Sequence, residues 1–184
     1  MSDLNDLSAF YDLGWQQLEN AMKTRDLASR QVALATVSDD GKPEVRTVVL
    51  REVSRVSSIL QVNTDVVSAK VAALNENPFA ELLYWNEKTA LQLRLKTRVE
   101  IKKGDETALI WPTVPEASRG NYGSSPETGT PISSVFDYEK LGLARNFAIL
   151  VFHVDEVDIV ELGDRHRRAQ FCKSSDWAGQ WIVP

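Results

Sequence analysis

The run Leu91-Gln92-Leu93-Arg94-Leu95-Lys96 constrains the fold more than any other stretch of the chain. Apolar and polar residues alternate strictly there, and a period of two belongs to a strand with one buried face. The pattern predicts a strand over 91–99 that buries the leucines and presents Gln92 and Arg94 on the other face. Similar runs surround it. In 30–38, Val32, Leu34 and Thr36 alternate with Ala33, Ala35 and Val37, while 46–53, 57–63 and 79–85 are rich in β-branched, aliphatic and aromatic residues. Ser38-Asp39-Asp40-Gly41-Lys42-Pro43 is a turn. Links this short forbid parallel crossovers, so these strands run antiparallel. Residues 147–161, 165–173 and 177–183 add two longer strands and a short one. The expected fold is mainly β with peripheral helices: a six- to seven-stranded antiparallel barrel or strongly curved sheet.

Helices are few. Leu4, Leu7, Tyr11, Trp15, Leu18 and Met22 recur at helical spacing, predicting an amphipathic helix over 3–24 with Ser2 or Asp3 as cap. A short helix is expected over 68–76, with Val71 and Leu74 inward and its end set by Asn77-Pro78. Further short helices are expected over 105–111, 113–121 and 135–143, around a Pro-, Gly-, Ser- and Thr-rich loop at 112–131. A loop of that length is often functional. With 184 residues, the chain fits one domain over 1–184.

Composition removes several function classes. Cys172 is the only cysteine, so an internal disulfide, a Cys-based zinc cage and an iron–sulfur cluster are excluded. With only His153 and His166, no metal site is expected. No segment approaches the ~20 apolar residues of a membrane span. The acidic Asp3 and Asp6 lack the basic start of a signal peptide. A cytoplasmic protein without a membrane partner is expected, and a net charge of -5 speaks against nucleic acid. No G-x-G-x-x-G, Walker, G-x-S-x-G or H-E-x-x-H signature occurs. Trp85 and Trp111 read as core, His153 as a satisfied structural histidine, and Cys172 as a small buried hydrophobe. Asp155, Glu156, Asp158 and Glu161 read as a solvated strand face or turn.

Against this acidic background stand two basic clusters: Arg46, Arg51 and Lys70, and the run Arg165-His166-Arg167-Arg168. Lys70 falls in the first turn of the 68–76 helix, where free N–H groups and a partial positive charge join Thr64 and Ser68 in a phosphate seat. Arg46 and Arg51 bracket Thr47-Val48-Val49-Leu50; five apart in a regular strand, they face opposite sides.

These residues resemble the pyridoxamine 5′-phosphate oxidase family. Arg46-Thr47-Val48-Val49-Leu50-Arg51 resembles its R-x-V-L-L-K strand, and Asn63-Thr64-Asp65-Val66-Val67-Ser68-Ala69-Lys70 its Y-T-N-x-x-S-R-K segment. Asn77-Pro78-Phe79-Ala80 with Tyr84-Trp85 matches N-P-x-A…Y-W, and Leu91-Gln92-Leu93-Arg94 matches R-Q-V-R. His166 and Arg168 match part of R-L-H-D-R, while Trp177 and Pro184 echo the W…R-L-A-P ending. The resemblance covers about 30–184 and implies a dimeric split β-barrel holding FMN between two subunits. It implies Arg46, Ser68 and Lys70 at the FMN phosphate, and Val48, Val49 and Thr64 along the flavin. It also implies Gln92 at the ring, Arg168 reaching the cofactor from the C-terminal strand, and Arg51 near ring and substrate.

The departures fall on the substrate side. Ile110 and Val114 replace the tyrosine and arginine of Y-x-x-x-R-P, and only Ser118 remains of the set that grips the substrate phosphate. Asp164 replaces the arginine opening R-L-H-D-R, Trp181 replaces that of R-L-A-P, and Glu127-Thr128 replaces a Q-S pair. The resemblance therefore implies an FMN-dependent oxidoreductase acting on a small substrate other than pyridoxamine phosphate, with Arg51, Ser118 and His166 as substrate residues. A non-catalytic flavin carrier or sensor would keep the same cofactor residues. A barrel without flavin is the third reading.

Overall fold

The computed structural model describes residues 5–24 and 26–184. Strands β1 (Gln31–Val37), β2 (Pro43–Ser54) and β3 (Ile59–Asp65) follow one another through turns. Helix α2 (Ala69–Glu76) leads into β4 (Phe79–Asn86) and β5 (Leu91–Lys103). After helix α3 (Glu116–Arg119), the two-residue strands β6 (Ser124–Ser125) and β7 (Glu139–Lys140) pair with each other. Then come β8 (Phe147–Glu161), β9 (Arg167–Cys172) and β10 (Gly179–Trp181). Pairing runs β1–β2–β3–β8–β5–β4 and returns to β1, so six antiparallel strands close a barrel, and β9 and β10 extend it.

The closure turns on β8. Its first half pairs with β3, from Phe147 opposite Asp65 to His153 opposite Ile59, and its second half pairs with β9. Its other edge carries β5 throughout. The alternation in β5 does what its pattern requires: Leu91, Leu93 and Leu95 are buried, with Leu34, Leu50, Leu60, Leu82 and Phe152 facing them in the core.

Helix α1 (Leu7–Lys23) starts later than its apolar spacing suggested. Ser2 and Asp3 lie outside the described residues; Asp6 is the cap, its Oδ1 accepting the Ser8 N–H at 2.8 Å. Phe10, Trp15 and Leu18 are buried, each worth about 1.5–3 kcal/mol relative to exposure. Tyr11 lies over Trp177 and Phe171 at 5.5 and 4.9 Å, and Phe10 meets Trp181 at 5.2 Å. Trp181 thus serves packing, where the related motif carries an arginine. Gly14 lets the helix approach the sheet: a Cβ there would lie 2.6 Å from Ile159 Cδ1 and 3.1 Å from Leu93. Both neighbours are buried and cannot yield. Gly14→Leu should therefore cost about 2–3 kcal/mol by overpacking, despite better helix propensity, and the denaturant midpoint will show it.

The loop region departs from expectation. Residues 105–111 and 113–121 contain only 3-10 turns at Gly104–Thr107 and Trp111–Thr113 and the single turn of α3. The 135–143 helix does not form. Val135 and Phe136 are adjacent rather than spaced on one face, and both are exposed. The backbone is held instead as a ladder, Leu141 N–H to Gly123 O and Leu143 N–H to Tyr122 O. Among the described residues no helix is long and apolar enough to cross a membrane.

Candidate functional site

Three of the expected phosphate-seat residues, Thr64, Ser68 and Lys70, meet at the junction of β3 and α2. Lys70 Nζ donates to Thr64 Oγ1 at 3.0 Å, and Thr64 lies 3.4 Å from Ser68 Oγ. Ser68 is the N-cap of α2, so its own hydroxyl and the first-turn N–H groups sit together. Arg46 comes in from β2, donating to Thr36 Oγ1 and to Glu44 Oε2, both at 2.6 Å. Burial lowers the Lys70 pKa below its ordinary value, and the nearby Arg46 guanidinium lowers it further; only Asp65 opposes. The two like charges disfavour each other, and an anion beside both would relieve that cost.

Beside this cluster the barrel wall opens. β2 pairs with β1 through Pro43–Val49 but with β3 only from Leu50 onward. Thr47, Val48 and Val49 therefore have no β3 partner, opposite Asn63 and Thr64. Val48 turns its side chain into the core, and its backbone is paired to Val32 of β1 but, among the described residues, to nothing on the β3 side. At Arg51 the register slips between Leu50 and Glu52, a β-bulge. Arg51 and Glu52 both point outward, opposite to Arg46, as the spacing of the two arginines predicts.

Outside the wall, Arg51 lines a cavity of about 330 Å³ with Asn63, Ile110, Val114, Ser118 and Tyr122. The structure thus brings two of the three substrate candidates, Arg51 and Ser118, to one cavity. Tyr122 is buried; burial raises its pKa, while the nearby Arg51 charge and the polar Asn63 side chain oppose the rise. His166 is elsewhere. It is exposed in the β8–β9 turn, where its Nδ1 accepts the Gly163 N–H at 3.1 Å.

Gln92 and Arg168 occupy a third location. On the outer face of the sheet, Val160 of β8 stands between them, paired to Gln92 of β5 and to Arg168 of β9. One step along, Asp158 accepts from Arg168 Nη2 at 2.8 Å, Arg94 Nη2 at 2.5 Å and Gln170 Nε2 at 3.0 Å. Asp158 is 8% exposed, so it is not part of a solvated face. Burial raises its pKa, but the hydrogen bonds from Arg168, Gln170 and Arg94 outweigh that and hold it below the usual carboxylate value. Trp85, expected in the core, is 46% exposed on this outer face, opposite Gln92, and Leu83 beside it is 37% exposed. Trp111 does pack inward, on Tyr122 and Phe147. His153 binds Glu100 at 3.0 Å, and Cys172 is only half-buried, 3.0 Å from Ser174 Oγ.

Comparison with known proteins completes the picture. The family described as pyridoxamine 5′-phosphate oxidase, FMN-binding domain, matches residues 13–103. A pyridoxine/pyridoxamine 5′-phosphate oxidase 2 of Arabidopsis thaliana is 29% identical over 153 residues, 76% of this chain and 77% of that protein. An oxidase of Psychrobacter arcticus is 33% identical over 99 residues, 53% of this chain and 45% of that protein, so the match spans about half of this bacterial relative. The crystal structure of a pyridoxamine 5′-phosphate oxidase-related, FMN binding protein from Nostoc punctiforme superposes with a TM-score of 0.76 at 23% identity. It covers 100% of this chain and 99% of that one. The chain belongs to the pyridoxamine 5′-phosphate oxidase-like split-barrel family.

Within that family this member has its own features, several of which motif reading passes over. Ala69 stands where the S-R-K motif has arginine, and Glu44 shares Arg46, so the seat is less positive than the motif suggests. Asp65 accepts the Gly123 N–H at 2.6 Å and the Val67 N–H at 3.0 Å, tying the end of β3 to the 118–131 loop. Its place directly after Thr64 was the only signal for it. Glu127 and Thr128 line a second 330 Å³ cavity inside that loop, next to Asp65. Nothing local in the sequence marks Tyr122, Glu52 or Asp158, because each acquires its neighbours through the fold.

Proposed function

We propose that this chain binds FMN and works as an FMN-dependent oxidoreductase on a small substrate other than pyridoxamine phosphate. The grouping of Lys70 with the Thr64 and Ser68 hydroxyls, within the electrostatic reach of Arg46 and beside the open β2–β3 seam, carries this reading. A phosphate dianion wants fixed cations and N–H donors, and this seat offers both. When bound, FMN supplies the hydride or electron transfer. Arg46 and Lys70 neutralise its phosphate, the Thr64 hydroxyl and the first-turn N–H groups of α2 donate to phosphate oxygens beside Ser68, whose own hydroxyl donates to Asp65 O, and the backbone at 47–49 lines the flavin. Arg51, on the outer side of the same strand, reaches ring and substrate.

Gln92 and Arg168 belong to the proposed site through a homodimer. They lie on an outer sheet face with exposed Leu83 and Trp85, and a second copy covering that face would bring them to its partner's seat. Asp158 holds Arg168 in a two-point grip that fixes its direction.

The first test is the visible spectrum of protein incubated with FMN and desalted. Flavin bands at one per subunit are expected; a colourless protein sinks the proposal. Steady-state turnover with a reductant then separates an enzyme from a carrier. Dilution to monomer should release FMN, and a monomer with full FMN affinity would exclude the shared site.

A further inference from the structure

The cavity beside Arg51 has an unusual charge pattern. Arg46, Arg94, Arg119, Arg167 and Arg168 all hold hydrogen-bond acceptors. The Arg51 side chain makes no hydrogen bond or ion pair among the described residues, and neither does that of Glu52. The bulge turns both outward into the same cavity. Its ionic lining is thus one guanidinium and one carboxylate, with a formal sum of zero. Val114 and Ile149, 6% and 2% exposed, form a dry wall. Ile110 and Val114 offer no donor to an anion. Tyr122 and Asn63, which line the cavity together, supply a neutral polar edge. At about 330 Å³ the space sits at the lower end of ligand cavities, roughly 300–1,000 Å³.

A phosphate dianion would meet a single cation here and a carboxylate beside it. A single carboxylate can take both arms of the guanidinium, with its apolar body on the dry wall. We infer that this cavity binds a small, mainly apolar molecule bearing one carboxylate, and that Glu52 excludes phosphate esters from it. The inference rests on the flavoprotein reading above, since it makes this cavity the substrate side of that site.

Three probes of similar size test it: benzoate, benzamide and phenyl phosphate. Each is titrated into FMN-treated protein and followed by ligand-observed NMR, with the flavin bands recorded on the same samples. Benzoate should bind at least about tenfold more tightly than either other probe, the scale of one unit charge near a protein surface. Arg51→Gln should erase the difference between benzoate and benzamide. Glu52→Gln should raise phenyl phosphate affinity by about tenfold and leave benzamide unchanged. Phenyl phosphate matching benzoate in the wild type, benzamide matching benzoate, or no probe binding at all would each overturn the inference. Missing flavin bands alongside a clear benzoate preference would overturn the flavin reading while supporting the selectivity of the cavity.

Discussion

Lys70→Met should weaken FMN binding by roughly 10- to 100-fold while raising the melting temperature of the flavin-free protein. One charge-assisted hydrogen bond is worth about 1.5–3 kcal/mol, and the lysine supplies one to the proposed phosphate. Without that anion the same ammonium is a cost, because burial and Arg46 both disfavour its charged form. Methionine keeps the apolar stem and removes the charge. The pH dependence follows from the lowered pKa. The charged lysine opposes folding at neutral pH, and the penalty fades as pH rises through the lowered value and is gone above the ordinary 10.5. The stabilisation by Lys70→Met should therefore be largest near neutrality and shrink in strong alkali. Adding Arg46→Ala should bring the total loss of FMN affinity to about 10²–10⁴-fold. Desalting followed by a spectrum, with a thermal melt of the same samples, checks both arms. Unchanged FMN retention with a lower melting temperature would move the phosphate seat elsewhere.

Asp158→Asn should be the most destabilising single polar change in the barrel, at about 3 kcal/mol. The carboxylate is 10% exposed in its side chain and lies between Arg94 and Arg168. Asparagine leaves two guanidinium groups facing each other with no charge between them. For a chain of this size the melting temperature should fall by roughly 6–12 °C. The sign with pH is opposite to that of Lys70. A carboxylate with a depressed pKa stabilises above its ordinary value of 3.8 and loses that contribution as pH falls through its folded value. The gap between wild type and variant should be full at neutral pH and close in acid. If Arg168 reaches a cofactor across a dimer, the variant will also hold FMN less firmly. Equal melting temperatures at neutral pH would show that Asp158 is not the clasp of this sheet.

What the sequence made legible follows from the range of the forces involved. Period-two patterns mark β1 and β5 because the two faces of each strand differ in exposure, whereas β4 is legible only from its aromatic and aliphatic content and β8, buried on both faces over its first half, shows no alternation. The seat of Arg46, Thr64, Ser68 and Lys70 was legible because three of its four members lie within one short strand-to-helix junction. The 135–143 segment was misread because its backbone is satisfied by Tyr122 and Gly123, which no local pattern reveals. Trp85 was misassigned for a related reason. Aromatic residues are most often core, and only the strand register shows this one on the outer face. Asp158 gives the sharpest case: one carboxylate in an acidic run is singled out by three partners from two other strands.

The long β8 strand also sets the order in which a growing chain can organise itself. Residues 31–103 already contain five of the six barrel strands, yet β3 and β5 have no common neighbour until 147–161 emerges from the ribosome. Until then the nascent sheet carries two open edges, and closing it requires contacts distant in sequence, which form slowly. Barrel closure thus waits for β8, and the nascent sheet is at its most adhesive in the interval before that strand pairs with β3 and β5.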